Sequence, residues 1–398
     1  MNMKHVSLRS FFLGGILTAI AFGLATQAFS QGPVQVFILA GQSNMEGKAV
    51  ATTLDPILAD PNKASDFTHL KNGDAWAVRD DVHVTFRMNR VTPEAGTPLY
   101  GPLTIGFGSE KTVRNDENQK VPALAFGPEL GFGWVMGEHF EQPVLLIKTA
   151  WGGRSIKRSF RPPSAMPGEE ELEAELASIR EKKNPEMTME ELQESFGSDY
   201  RAMLAEVADV LGDIETYVPG YDDAQGYEIA GFVWFQGWND GVGSGNPDYA
   251  DQLAHFIRDV RDDLETPDMP FVIGEMGVDG LEPMGWIATF RAQQEAAAAV
   301  PEFADNVQLA KTAHLWPTDL PDLSEEWEEF RAKDAAQRAE AEAAGERPDP
   351  DFFHREWNLR YKEQHAYTSD KRYHYLGSGE CYYRMGDAFG QAMLDMIK

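Results

Sequence analysis

Five short runs of the chain, 34–40, 143–149, 229–235, 270–276 and 307–311, are almost unbroken apolar stretches rich in Val, Ile and Phe. They lack the in–out alternation of a half-solvated strand, which is the pattern of parallel strands covered on both faces. Between them the apolar spacing becomes helical. Over 247–264, Leu253, Phe256, Ile257, Val260 and Leu264 recur on one face. Asn246 is placed to cap this helix, and Pro247 suits its first position. Phe126-Gly127-Pro128-Glu129 opens a second helix toward His139, and a last helix is predicted over 382–397. Strands alternating with helices predict right-handed crossovers and an α/β fold, a three-layer α/β/α sandwich on a five-stranded parallel sheet.

Three stretches break the alternation and read as insertions into one domain spanning 31–398. Residues 50–125 hold turn signals and one strand, 82–88, and are expected to form an irregular wall near the site. Residues 162–200 are acidic and helical, with Thr188 and Glu191 spaced as a capping box. Residues 325–360 begin with a charged helix that Gly345, Pro348 and Pro350 end. Both acidic helices read as solvated surface.

The first thirty residues carry a different signal. Lys4 and Arg9 precede an apolar run at 11–24 that is short for a membrane span. Ala28-Phe29-Ser30 then offers small residues for cleavage before Gln31, with Thr26-Gln27-Ala28 as a second option. The pattern predicts a signal peptide and export to the periplasm or beyond, without stable membrane association after cleavage. An uncleaved anchor is the alternative.

Charge narrows the partners. Lys and Arg total 35 against 64 Asp and Glu, a formal charge of −29. Such a surface repels phosphate backbones and anionic lipid, so nucleic acid is not an expected partner. One cysteine, Cys381, excludes an internal disulfide and thiolate zinc sites. No His/Asp cluster has ligand spacing, so neither a metal nor another cofactor is expected.

Candidate chemistry sits just after the strands, where open α/β sheets bind ligands. Ala40-Gly41-Gln42-Ser43-Asn44-Met45 follows the first run and exposes a serine on a tight turn. Thr149-Ala150-Trp151-Gly152-Gly153-Arg154 follows the second, and paired glycines let a backbone N–H approach an oxyanion. Trp234-Phe235-Gln236-Gly237-Trp238-Asn239-Asp240 follows the third and brings two uncharged amides to one turn.

In this order and on successive strands, AGQSNM, TAWGG and WFQGWND resemble the SGNH hydrolase superfamily, more narrowly its sialate O-acetylesterase-like branch, which includes acetylxylan esterases. The resemblance implies a flavodoxin-like fold and metal-free ester hydrolysis, commonly removal of acetyl groups from carbohydrates. It makes Ser43 the nucleophile, the Ser43 and Gly153 N–H groups oxyanion donors, and Gln236 the amide that closes the oxyanion hole. Trp238-Asn239-Asp240 stands where many relatives have Glu-Ser-Asp, which makes Asn239 an alternative donor. His374, just before the last helix, is the implied base, with His365 the runner-up. Relatives carry an Asp three residues before this histidine; here that position is Lys371, and Asp370 lies one further back. Gln42, Asn44, Trp151, Arg154 and Trp238 are expected to meet the substrate. Met45, Trp151 and Trp238 are expected to leave a small acyl pocket and an aromatic wall for a sugar. The expected partner is thus an O-acetylated oligo- or polysaccharide. The alternatives are a non-catalytic sugar-binding relative, and a lipase or thioesterase on the same scaffold; the absence of a long apolar lid segment counts against lipids.

Overall fold

The computed structural model describes residues 32–88, 97–114, 119–243, 245–283, 285–321, 323–350, 352, 356–357 and 360–397. The signal-peptide reading of residues 1–30 therefore lies outside the described residues.

The sheet contains, in chain order, β1 (Val34–Gly41), β2 (Arg79–Phe86), β3 (Leu99–Leu103), β4 (Val144–Ala150), β5 (Tyr227–Phe235), β6 (Phe271–Gly274) and β7 (Val307–Ala310). Among the described residues it is seven-stranded, in the order β7-β6-β5-β1-β4-β2-β3. The five apolar runs all lie in it as parallel neighbours. Two strands extend the expected sheet. β2, read from sequence as part of an irregular wall, pairs in parallel with β4, and β3 adds an antiparallel edge. The sequence reading places this strand at 82–88; it begins three residues earlier because the polar Arg79-Asp80-Asp81 already lies in strand conformation. Only its second half, from Val82, is buried.

Strand periodicity divides the core between the two faces. Phe232 and Trp234 of β5 meet Phe256 of α7 (Tyr249–Asp263), with centroids 5.9 and 4.5 Å apart. On the other face, Phe235 meets Phe389 at 5.1 Å. That face is covered by α2 (Glu129–His139) and α10 (Gly379–Leu394), which pack on each other. Their contact requires glycine: a Cβ on Gly131 would stand 2.1 Å from the Tyr383 carbonyl, and one on Gly386 2.0 Å from that of Pro128.

Helix starts differ in detail from the sequence reading. α7 begins at Tyr249, and Asn246 does not cap it with its amide, whose nitrogen donates to Asp240 Oδ1 and Gln252 Oε1. α10 begins three residues earlier than predicted, because the Ser378 hydroxyl caps it. The acidic insertions hold α3 (Glu169–Lys182), α4 (Met189–Ser195) and α9 (Ser324–Ala343). The Thr188–Glu191 capping box forms on α4. These helices are not wholly solvated. Leu172, Leu176, Leu192 and Phe196 make one small apolar cluster, and Phe330, Trp357 and Tyr361 another.

Candidate active site

β1 is central, so the turns after its neighbours β4 and β5 arrive on either side of its own. The register aligns Gly41 with Ala150 and with Phe235, so the three turns start at one level. Gly41 makes this convergence possible: a Cβ there would meet the Phe235 carbonyl oxygen at 2.2 Å. Immediately after it, α1 (Ser43–Glu46) lifts Ser43 onto a short helical turn.

The histidine arrives from the segment before α10. His374 Nε2 lies 2.9 Å from Ser43 Oγ, and His374 Nδ1 lies 2.9 Å from Asp370 Oδ1. The four-residue separation closes because 370–377 is a compact loop: His374 N–H donates to the Lys371 carbonyl, and the Ser369 and Asp370 N–H groups both donate to that of Leu376. The loop is conformationally costly. Tyr375 and Leu376 have φ of 50° and 54°, the left-handed region that side chains disfavour. Tertiary contacts hold it, among them the bond from Gly277 N–H to the buried Tyr375 hydroxyl at 2.7 Å.

Burial pushes the Asp370 pKa up, but hydrogen bonds and charge from His374 and Lys111 outweigh it and hold the carboxyl well below the usual carboxylate range. An ionised Asp370 accepts from Nδ1–H, which leaves the Nε2 lone pair facing the Ser43 hydroxyl. Lys111, from the 50–125 insertion, pairs with the second Asp370 oxygen.

The amides sort themselves by their partners. Gln42 Oε1 accepts from the N–H groups of Gly237 and Asn239, at 3.1 and 3.4 Å. Its nitrogen is therefore turned toward Asn239 Oδ1, 3.1 Å away. That fixes the Asn239 amide with its NH₂ directed away from Gln42. Asn239 is exposed, and this nitrogen has no protein partner among the described residues. Gln236 differs. Its nitrogen faces three acceptors, Asp240 Oδ2 at 2.6 Å, the Arg154 carbonyl at 2.9 Å and Gln42 Oε1 at 3.2 Å. Two hydrogens cannot serve even these three, so Gln236 is committed to the framework and not to an oxyanion. Asp240 ties the turns together, accepting from the N–H groups of Ile156 and Lys157. Its burial raises its pKa, against those donors and the Gln236 and Asn246 amides. Gly153 has φ of 73° and open space about its Cα, while Gly152 packs beside Ser43.

A scan against family profiles matches residues 33–319 to the family described as carbohydrate esterase, sialic acid-specific acetylesterase. The chain belongs to this carbohydrate esterase family. The match ends before His374 and Asp370. Solved structures with some likeness include an Arabidopsis thaliana protein, at 15% identity and TM-score 0.46, covering 92% of this chain and 100% of its own. A carbohydrate acetylesterase from Xanthomonas citri shares 14% identity at TM-score 0.39, over 69% of this chain and 49% of its own. The protein NanS shares 14% at TM-score 0.39, over 71% and 79%. No curated protein sequence matches the chain.

Other expected substrate contacts in this esterase-family site are placed differently. Gln42 and Asn44 are buried, and Asn44 spans from the Tyr373 carbonyl at 3.1 Å to the Tyr382 hydroxyl at 2.7 Å, so it seats the histidine loop. Trp151 is core: its indole N–H donates to the Arg87 carbonyl and its ring stacks on Phe160. Met45 is fully buried and cannot narrow an acyl pocket. Arg154 is partly exposed, with its guanidinium 3.2 Å from Asp199. Trp238 is half-buried and packs with Trp286 at 4.9 Å and Tyr373 at 5.3 Å, the latter ring 4.4 Å from His374. His365 ends a short helix, Lys362–His365, and its side chain lies outside the described residues.

Sequence reasoning also missed Lys148. It is fully buried in β4 and donates to Glu129 Oε2, the Phe107 carbonyl and the Glu46 carbonyl, at 2.7, 2.6 and 2.8 Å. The last contact braces the end of α1 beneath Ser43. A lysine inside an apolar strand was the available signal.

Proposed function

We propose that the chain is an exported serine esterase that removes acetyl groups from O-acetylated carbohydrates. The reading is carried by the two 2.9 Å contacts that connect Ser43, His374 and Asp370 at the end of the central strand. In it, His374 Nε2 takes the Ser43 proton as Oγ attacks the acetyl carbonyl. The oxyanion is held by the backbone N–H groups of Ser43 and Gly153 and by the Asn239 amide. The C–O bond to the sugar breaks as the alcohol takes the proton from Nε2, leaving acetyl-Ser43. Water, deprotonated by His374, then attacks the acyl-enzyme and releases acetate. Asp370 orients the ring and stabilises the imidazolium without taking its proton.

Residues 31–398 act as one catalytic unit in this reading, since nucleophile and base come from its two ends. Export rests on the charged, apolar and small-residue pattern of 1–30; N-terminal sequencing of protein recovered outside the cytoplasm tests it.

The decisive experiment is acetate release from acetylated polysaccharides and hydrolysis of p-nitrophenyl acetate by wild type and Ser43→Ala. A loss of about 10³-fold or more is expected. Near-normal turnover in the variant would overturn the nucleophile assignment, and an optimum at octanoate esters would reject the carbohydrate reading.

A further inference from the structure

A cavity of about 550 Å³ lies between the histidine loop and α9. Its walls include Leu323, Trp327 and Trp357 on one side and Asp370, Lys371 and Tyr373 on the other. The volume falls within the roughly 300–1,000 Å³ typical of small-molecule sites. Apolar walls with polar groups at intervals suit a pyranose, which offers a face of C–H groups and a rim of hydroxyls. The Lys371 side chain is exposed, and its ammonium has no partner among the described residues.

Two observations connect the cavity to the reaction. First, Tyr373 belongs to both places: it lines the cavity, and its ring stands against Trp238 and against His374. Second, the chemistry fixes where the sugar lies. Its leaving oxygen must take a proton from His374 Nε2, so the acetylated sugar sits on the histidine side of Ser43. Tyr373 is the side chain shared between that side of Ser43 and the cavity. The wall formed by Leu323, Trp327 and Trp357 also lies beyond residue 319, where the family match ends. That apolar wall therefore lies outside the matched region, although Lys111 within the region also lines the cavity.

We propose that this cavity is a glycosyl subsite, holding a sugar next to the acetylated one, so that the enzyme selects oligosaccharides over acetylated monosaccharides. The proposal rests on the carbohydrate esterase reading and names where the glycan runs.

The test uses fully O-acetylated xylo- and manno-oligosaccharides of one to four residues, with p-nitrophenyl acetate as a probe too small to reach the cavity. Wild-type kcat/KM is expected to rise with length in at least one ladder. Trp327→Ala should raise KM about tenfold for the longer members and leave p-nitrophenyl acetate unchanged. Trp327 also packs on Trp357, with centroids 5.1 Å apart, so its removal could loosen the small cluster. Leu323→Trp fills the cavity without emptying that cluster and should give the same selective loss. A flat length dependence, or equal losses on oligosaccharides and p-nitrophenyl acetate in both variants, would overturn the subsite while leaving the esterase reading intact. Hydrolysis of p-nitrophenyl acetate with no acetate released from any sugar would overturn the carbohydrate reading itself, and the subsite with it.

Discussion

The Lys111 ammonium pairs with the Asp370 oxygen that His374 does not use, so one carboxylate is held from both sides. An ion pair with low exposure on both partners is screened less by salt than a surface pair. Lys111 is thus a positioning residue, acting on the imidazole through Asp370. Lys111→Met is expected to lower kcat about tenfold and move the acidic limb of the kcat/KM profile upward in pH, because Asp370 then acts on His374 without compensation. Lys111→Arg should restore part of both. A fall in rate with no movement of the profile would mean that Lys111 serves only the fold.

In the proposed mechanism, Asp370→Asn removes the charge that stabilises the imidazolium. The rate should fall by a factor between roughly 10 and 10⁴. An unchanged rate and pH profile would mean that another group orients His374.

The two candidate amides should separate cleanly. Asn239→Ala removes a nitrogen without a protein partner and should reduce kcat by about 10²-fold; it also removes the oxygen that accepts from Gln42, so a Tm loss is expected, smaller than that of Gln236→Ala. Gln236→Ala removes a buried donor from Asp240 and the Arg154 carbonyl, and should lower Tm as well as rate. A Gln236→Ala variant with native Tm and a larger kcat loss than Asn239→Ala would reverse the assignment.

Beneath Ser43, the Lys148–Glu129 pair is fully buried. Lys148→Met leaves the Glu129 carboxylate uncompensated and should cost about 3–5 kcal/mol of stability. Adding Glu129→Leu should recover much of that cost. Chemical denaturation of the single and double variants measures the difference, and a double variant no more stable than the single would contradict it.

His83 gives the stability a pH dependence. It is buried in β2, its ring nitrogens have no partner among the described residues, and burial lowers its pKa from 6.5 against the raising influence of Asp80 and Asp81. The folded state therefore binds fewer protons at this site than the unfolded chain below about pH 6.5. Stability from this group is complete above that pH and falls as the pH drops toward the lowered folded value. His83→Phe should flatten the fall in Tm between pH 6.5 and 5; an identical slope in the variant would assign it elsewhere.

What the sequence makes legible here follows from how local each signal is. The five apolar runs announce themselves, because burial on both faces leaves no polar positions. Ser43 stands out only through the resemblance that AGQSNM, TAWGG and WFQGWND carry together, since its turn alone reads as an ordinary Ser/Asn turn, and the proximity of Asp370 to His374 is consistent with a loop spacing that sequence alone leaves open. The buried half of β2 is legible as a strand, but Asp80 and Asp81 hide where it starts, and its place in the parallel sheet is set by a partner distant in sequence. Trp151 and Met45 mislead for a different reason: each flanks a candidate functional residue, but the strand or short helix behind it turns the side chain into the core. Amides are the hardest to assign. Gln42, Asn44, Gln236 and Asn239 have the same chemistry, and only the partners supplied by distant segments decide which nitrogen is left to a substrate.

The left-handed Tyr375 and Leu376 place the proposed base on a segment whose own backbone preferences oppose its shape. Contacts such as Gly277 with Tyr375 hold it there, so its geometry is borrowed from the surrounding fold. Such a segment can relax while the sheet remains intact. On warming, the protein would then become inert several degrees before it melts, with its far-ultraviolet spectrum still native, and would recover on cooling without having to refold.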